Sequence, residues 1–248
     1  MRKAFHPDRD EKITVSQYQR DVGNDPLQSR ERARCPVCRQ RLTVVAVSSA
    51  NSRGHFAHQK NSGFCPTKSK AAAPYSDLPP KNPYPEAAKR IRAAFRANWP
   101  RHFSKLNRLV TGLAYAEFID IIQTADRERI WEYAQLEEFQ LPYVFATLMD
   151  FPPDRSYKGK TGRQKWFRCW FDATVQRYDD LWIHRETPPM LYSAEFEPPE
   201  GRKKPRAEDL IDLRWFKLNT DFLNVEPKLL PFVEKEVTKW LDRYFKVG

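Results

Sequence analysis

Three of the four cysteines of this chain stand between residues 35 and 65, together with two histidines. Cys35 and Cys38 enclose two residues, a spacing with which a short turn directs two thiolates at one metal ion. A structural zinc ion takes four such ligands, and the segment offers His55, His58 and Cys65 as further candidates. We expect Cys35, Cys38, His58 and Cys65 to bind a structural zinc ion, with His55 as the alternative ligand.

Other uses of a Cys-x2-Cys motif fit this segment less well. A redox pair normally opens a helix after a strand, whereas residues 39–47 form a β-rich run here. A catalytic zinc ion keeps one coordination position open, and this segment offers four protein ligands. The remaining alternative is that the cysteines are reduced thiols and the histidines are surface polar groups. A segment of about 35 residues is too short for a sufficient core, so a metal would replace part of that core.

A proline-rich stretch predicts where the chain divides. Residues 71–85 contain five prolines, which favour an extended connector. The predicted organisation is a basic N-terminal segment at 1–34, a zinc-binding module at 35–70, the connector at 71–85 and a mixed α/β domain at 86–248. The predicted fold class is therefore α+β.

Hydrophobic periodicity predicts the elements of the second domain. Residues 85–98 are expected to form a helix that Pro100 ends, residues 117–141 two helical pieces, and residues 231–245 an amphipathic helix. A short strand is expected within 13–18. Further strands are predicted at 108–115, 142–149, 166–175, 180–184 and 190–196.

The positive charge of the chain lies in its first half. The net charge is +11, but residues 1–110 hold 22 Lys and Arg against 8 Asp and Glu, while residues 111–248 hold 21 against 24. This asymmetry suggests that the first half meets a polyanion, with DNA expected ahead of RNA, although solubility alone would also explain it. The candidate phosphate contacts are Arg32, Arg34, Arg39, Arg41, Arg53, Lys60, Lys68 and Lys70.

Composition excludes two broad classes of protein. With 40 % hydrophobic and 13 % aromatic residues, the chain can bury a core and is not a disordered protein. No apolar run approaches the roughly 18 residues of a membrane helix, and no apolar stretch follows the basic N-terminus. We expect a cytoplasmic protein without a membrane partner, in which cysteines stay reduced. Cys169 stands in an aromatic run and is expected to be a buried apolar residue.

The order Cys-Pro-x-Cys, a β-rich stretch and His-Phe-Ala-His resembles the N-terminal zinc module of competence protein CoiA-like bacterial proteins. The resemblance covers residues 35–65. In that family the module precedes a nuclease-like domain of the PD-(D/E)xK type and is associated with DNA uptake and processing. The resemblance thus implies a bacterial DNA-processing, mobile-element or anti-phage setting.

A nuclease of that type holds Mg²⁺ or Mn²⁺ with carboxylates, beside a Lys or Gln that orients water. The nearest counterparts in this chain are Glu86, Glu117, Asp120 and Gln123. Their spacing departs from the family pattern, and the same residues fit a plain amphipathic helix.

Three functions follow from these observations. The first is a zinc-stabilised protein that binds nucleic acid with little dependence on sequence. The second is a divalent-metal-dependent nuclease, so whether the chain is an enzyme stays open at this point. The third is a structural subunit of a larger assembly, in which zinc stabilises an interface with protein partners. Residues 150–248 indicate no function of their own.

Overall fold

The computed structural model describes residues 1, 3–22, 32–45, 54–60, 62, 65, 75, 78–154, 162–172, 174–199, 201–206 and 209–245. The chain forms two compact units, one of Met1–Ala71 with Ala194–Leu213 and one of Ala72–Ser193 with Arg214–Gly248. Helices and small sheets make up both, so the fold is α+β as predicted. The four-part division of the chain stays a prediction, and much of the predicted connector at 71–85 lies outside the described residues.

The first unit starts with a hairpin and a short helix. Strands β1 (Lys3–Phe5) and β2 (Lys12–Thr14) pair antiparallel, and helix α1 (Val15–Val22) follows. The predicted strand within 13–18 is therefore wrong beyond Thr14. The Gln17 N–H donates to the Thr14 hydroxyl at 3.3 Å, and the Thr14 N–H donates to the Gln17 side chain at 2.8 Å. This reciprocal cap ends the strand and starts the helix.

A second antiparallel pair carries the histidines. Strand β3 (Leu42–Val45) confirms the β-rich run after Cys38, and it pairs with β4 (His55–His58) so that Leu42 lies opposite His58. In β4 successive side chains point to opposite faces of the pair. Phe56 is fully buried and shares its face with His58, whereas His55 lies on the other face.

Main-chain hydrogen bonds connect these strands into a closed circuit. Phe5 and Arg34 exchange two bonds of 2.8 and 2.9 Å, and the Leu42 N–H donates to the Ala33 carbonyl at 2.7 Å. At the other edge the Met1 ammonium donates to the Phe56 carbonyl, and the Phe56 N–H donates back to Met1. The circuit encloses a small core of Met1, Ala4, Ile13, Val15, Tyr18, Ala33, Cys35, Leu42, Phe56 and Cys65.

The second unit is organised around helix α2 (Pro85–Leu109). Its start at Pro85 confirms the prediction, but its predicted end was wrong because the helix continues through Pro100. Trp99, Phe103 and Leu106 extend the buried stripe across this point. A proline inside a helix costs about 3 kcal/mol, and the burial of these large apolar side chains outweighs that cost.

The residues after α2 form helices where strands were expected. The predicted strand at 108–115 is wrong, because its first residues finish α2 and Gly112, at φ +75°, turns the chain into helix α3 (Tyr115–Arg127). Two short 3-10 helices follow. The predicted strand at 142–149 is also wrong, since Leu141–Phe145 forms helix α4 and is buried throughout. A short run that is apolar on all sides has no period that distinguishes a strand from a helix.

A three-stranded sheet and a last helix complete the chain. The strand order is β5 (Trp166–Phe171), β6 (Met190–Phe196) and β7 (Leu210–Lys217). The predicted strands at 190–196 and 166–175 are confirmed, the latter for its first six residues, whereas Tyr178–Trp182 forms a 3-10 helix in place of the strand predicted at 180–184. Helix α5 (Pro231–Tyr244) confirms the final helix.

Aromatic rings fill the core of the second unit. Phe95 has no exposed surface, and its ring lies 5.3 Å from that of Trp131, 5.6 Å from that of Phe145 and 6.0 Å from that of Phe118. This cluster holds α2, α3 and α4 together. Across the described part of the chain, no helix combines the length and the apolar character needed to cross a membrane.

Candidate metal centre

The turn that carries the first two cysteines is closed by main-chain hydrogen bonds. The Cys35 N–H donates to the Gln40 carbonyl at 2.8 Å, and the Arg39 N–H donates to the Cys35 carbonyl at 3.0 Å. Arg39 closes the turn with φ 59°, in the left-handed region. The Val37 N–H points at the Cys35 sulfur from 3.4 Å. The turn thereby brings the sulfur atoms of Cys35 and Cys38 to one side.

His58 and Cys65 complete a group of four. The His58 Nε2 lies 3.2 Å from the Cys38 Sγ, and the Cys65 Sγ lies 3.9 Å from the Cys35 Sγ. All four ligand atoms fall within 4.8 Å of one another. His58 is placed by the end of β4, so the group ties the turn at 35–38, this strand and Cys65 together. The cluster can hold a metal ion.

The distance between the two buried sulfur atoms fits a tetrahedral ion. With Zn–S bonds of about 2.3 Å, two thiolates of a tetrahedral site stand roughly 3.8 Å apart. The 3.9 Å between Cys35 and Cys65 agrees with that value. Cys35 and Cys65 are fully buried, whereas Cys38 and His58 are half-buried at the edge of the cluster. Three thiols crowded into a small core without a metal would leave weak hydrogen bonds as their main polar contacts.

The thiols of Cys35 and Cys38 differ in pKa. The hydrogen bond that the Cys35 thiol donates to Cys38 raises the pKa of Cys35 and lowers the pKa of Cys38. Contacts from Cys65 and His58 and the main-chain N–H of Gln40 lower the pKa of Cys38 further. The turn thus favours a thiolate at Cys38, the form of cysteine that binds a metal. Sequence reasoning did not single out Gln40, because its contribution comes from the main chain.

Two residues considered from the sequence do not belong to the cluster. His55 lies opposite Val45 at the far end of β4, on the other face from His58. Cys169 lies in β5, and burial raises the pKa of its thiol to about 12. A protonated, buried thiol of this kind is an apolar core residue, as the sequence predicted.

The four candidate nuclease residues lie on two helices, Glu86 on α2 and the other three on α3. Glu86 is exposed in the first turn of α2, 3.0 Å from the Lys89 ammonium. Glu117 accepts a hydrogen bond from the Ala114 N–H at 3.0 Å and forms an ion pair with the buried Arg163. Asp120 and Gln123 are exposed on α3. Within the described residues, the group of His, Cys, Asp and Glu able to hold a metal is the Cys/His cluster, and none of these carboxylates belongs to it.

The basic residues near the cysteines fall into two sets. Arg39 lies 2.9 Å from the Asp10 carboxylate and 4.0 Å above the Phe5 ring, so its position is fixed within the unit. Arg41 and Lys60 are exposed and Arg32 is half-buried, and none of the three forms an ion pair with a described residue. Of the remaining candidates, Arg34 donates to the main-chain oxygens of His6 and Arg9, and Arg53, Lys68 and Lys70 lie outside the described residues.

Several cations of α2 form ion pairs with acidic residues. Ion pairs join Arg92 to Asp126, Arg96 to Asp242 and Arg101 to Glu226. These partners follow far along the sequence, so sequence reasoning could not pair them. With the ion pair between Lys89 and Glu86, four of the seven Lys and Arg residues of α2 have acidic partners within the second unit.

Comparison with known proteins adds one match. A family model described as a domain of unknown function, DUF7830, matches residues 9–72, which include all four residues of the cluster. Nothing among the curated proteins matches the chain, and no solved structure does either.

Proposed function

We propose that this chain is a zinc-stabilised protein that binds nucleic acid through its phosphates. The observation that carries the proposal is the cluster of Cys35, Cys38, His58 and Cys65, whose ligand atoms lie within 4.8 Å of one another. Three thiolates and one imidazole form a donor set typical of structural zinc sites. Four protein ligands leave no open position, so the zinc ion supports the fold and does not activate a substrate.

The zinc ion would stabilise a unit whose apolar core is small. It would join the turn at 35–38, the end of β4 and Cys65, which hydrogen bonds alone hold weakly. Structural zinc sites in peptides bind with apparent free energies of about 10–16 kcal/mol. Such an energy exceeds the about 3–5 kcal/mol that a core of this size supplies.

Charge supports nucleic acid as the partner of the first unit. The residues of this unit, 1–71 and 194–213, hold 18 Lys and Arg against 12 Asp and Glu, and Arg41 and Lys60 are exposed near the cysteines in the sequence. Phosphate contacts of this kind position a protein on nucleic acid without reading its sequence. The setting in bacterial DNA processing, a mobile element or anti-phage defence rests on the resemblance of residues 35–65 to the CoiA-like zinc module.

The proposal is tested by gel retardation of labelled single- and double-stranded DNA and RNA by the full chain. The assay is run at about 50 and 200 mM salt, with and without Mg²⁺ or Mn²⁺. We expect a shift without cleavage, which weakens roughly 40-fold to 150-fold between the two salt concentrations for three to four phosphate contacts on a duplex.

Two other outcomes of this assay would favour the nuclease or the structural subunit of an assembly. Cleavage that needs the added metal would replace the binding proposal with the nuclease and turn the search to Glu86, Glu117 and Asp120. No shift with any nucleic acid would overturn the nucleic-acid half of the proposal. The zinc ion would then be sought at an interface with protein partners.

A further inference from the structure

Two arginines of the first unit lie opposite each other in a β-pairing. Arg34 and Arg41 form an antiparallel bridge, and Arg34 also bridges Phe5 on its other side. Directly opposed residues of an antiparallel pair point to the same face, and like charges in this position destabilise the pair. An arrangement with this cost suggests that the two guanidinium groups serve an external partner.

A third arginine lies on the same face. The Leu42 N–H donates to the Ala33 carbonyl at 2.7 Å, so the pairing of Arg34 with Arg41 continues toward Arg32. Ala33 is fully buried inside the unit, and the alternation of side chains therefore places Arg32 and Arg34 on the outside. Arg32, Arg34 and Arg41 together are called the arginine face below.

Several acidic residues of the unit pair with other arginines. Among the described residues, Arg9 forms ion pairs with Glu11 and Asp21, Arg39 with Asp10, and Arg202 with Asp209. The arginine face forms no ion pair with any of them. The Arg34 guanidinium donates to the main-chain oxygens of His6 and Arg9 at 3.3–3.4 Å, which orients the group without pairing it to a described carboxylate.

We infer that the arginine face is the surface on which the first unit binds the phosphates of a nucleic-acid backbone. The inference rests on the proposed function and assigns its contact surface. Guanidinium groups bind phosphate oxygens in a bidentate way, and each stays charged at any physiological pH. Opposed residues stand about 5 Å apart and alternate residues of a strand about 7 Å apart, so three guanidinium groups can bind neighbouring phosphates together.

Because Arg34 and Arg41 are opposed, a substitution of Arg41 should change the thermal stability of the protein as well as its affinity for nucleic acid. Replacing Arg41 with glutamate puts opposite charges across the pair, which favours the folded unit. The same change places a negative charge in the phosphate-binding surface. The variant Arg41→Glu should therefore keep or raise the melting temperature of the protein while it loses affinity for nucleic acid.

The test measures fluorescence anisotropy of labelled single- and double-stranded DNA and RNA with the full chain at about 0.1 M salt. The variants are Arg41→Glu, Arg41→Gln and the control Arg90→Glu, which makes the same charge change at an exposed residue of α2. Loss of one phosphate contact lowers the salt slope by about 1, which corresponds to about tenfold weaker binding at this salt concentration. We expect at least this loss in both Arg41 variants, little change in Arg90→Glu, and melting temperatures no lower than that of the unmodified protein.

The other possible results would contradict either the role of the arginine face or the proposed function. Unchanged affinity in both Arg41 variants would overturn the inference, as would an equal loss in Arg90→Glu. A loss of affinity that accompanies a lower melting temperature would make Arg41 a structural residue and overturn it too. If the unmodified protein binds no DNA or RNA, the proposed function itself fails.

Discussion

At the scale of single residues, Glu117 illustrates how a distant partner decides the role of a carboxylate. From the sequence it is a candidate metal ligand of a nuclease. In the structure the Arg163 guanidinium, only 2 % exposed, donates to it at 3.0 Å and also donates to the Gly112 carbonyl at 3.1 Å. Glu117 therefore compensates a buried positive charge and caps the start of α3 at the Ala114 N–H.

Replacing Glu117 with alanine should destabilise the protein by about 3–5 kcal/mol, because Arg163 would keep a buried charge without its partner. Urea denaturation measures this loss. The matched control is Asp120→Ala on the exposed side of the same helix, which we expect to change the free energy of unfolding by less than about 0.5 kcal/mol. Equal stability of the two variants would show that the ion pair does not contribute as described.

His102 is a second residue whose surroundings set its chemistry. It is fully buried on α2, its Nε2 lies 3.1 Å from the Glu138 carboxylate, and its Nδ1 has no hydrogen-bond partner among the described residues. Burial lowers the pKa of His102 despite the raising effect of Glu138, and the nearby Arg101 lowers it further. The folded protein therefore holds a neutral imidazole at neutral pH.

The pH dependence of stability follows from this lowered pKa. Below the pKa of an unfolded histidine, about 6.5, the unfolded chain binds a proton that the folded protein resists. The contribution of His102 to stability is present above that pH and is lost as the pH falls toward the lowered pKa of the folded state. We expect the free energy of unfolding to fall between pH 7 and pH 5, and to fall less in His102→Gln. An identical pH dependence of the two proteins would contradict this role.

At the scale of elements, the sequence predicts those with a clear period and distinct ends. Strand β6 and helix α5 lie where expected, since α5 begins at a proline and carries a buried stripe of Val233, Val237 and Leu241. The strand predicted at 142–149 is wrong because a short apolar run lacks a diagnostic period, and the strand predicted at 180–184 is wrong because Tyr178–Trp182 forms a 3-10 helix. Strand β7 was not predicted, because its exposed and half-buried residues do not alternate regularly.

Helix α2 shows tertiary packing overriding a local signal. Pro100 would end an isolated helix, yet α2 continues to Leu109 because the buried residues on both sides of the proline pack into one core. Local sequence alone cannot reveal that gain. Because Pro100 lies inside α2, the helix lacks one main-chain hydrogen bond at this residue and is less stable by the corresponding free energy.

Replacing Pro100 with alanine should therefore stabilise the protein by about 2 kcal/mol, because it restores a main-chain donor and removes a clash inside the helix. Thermal and urea denaturation measure the change. Pro231→Ala serves as the control, since Pro231 occupies the first turn of α5, where a proline is favourable. A loss of stability in Pro100→Ala would show that Pro100 itself contributes to the packing of α2, and it would contradict this prediction.

At the scale of the whole molecule, the sequence predicts the ligand set better than the organisation around it. The spacing of Cys35 and Cys38 and the His-Phe-Ala-His run are local signals, and the structure gathers the four favoured residues. His58 lies at the cluster and His55 does not, because side chains alternate along β4. The joining of residues 194–213 to the first unit depends on contacts distant in sequence, which no local pattern encodes.

The central claim is that the cluster holds one structural zinc ion. The most direct test is elemental analysis of the full chain, purified without chelator or added metal, beside the variants Cys65→Ser and Cys169→Ser. The account predicts one zinc ion per chain in the unmodified protein and in Cys169→Ser, whose altered residue lies outside the cluster, and none in Cys65→Ser. A chain without zinc, with another metal in its place, or with zinc retained in Cys65→Ser would contradict it.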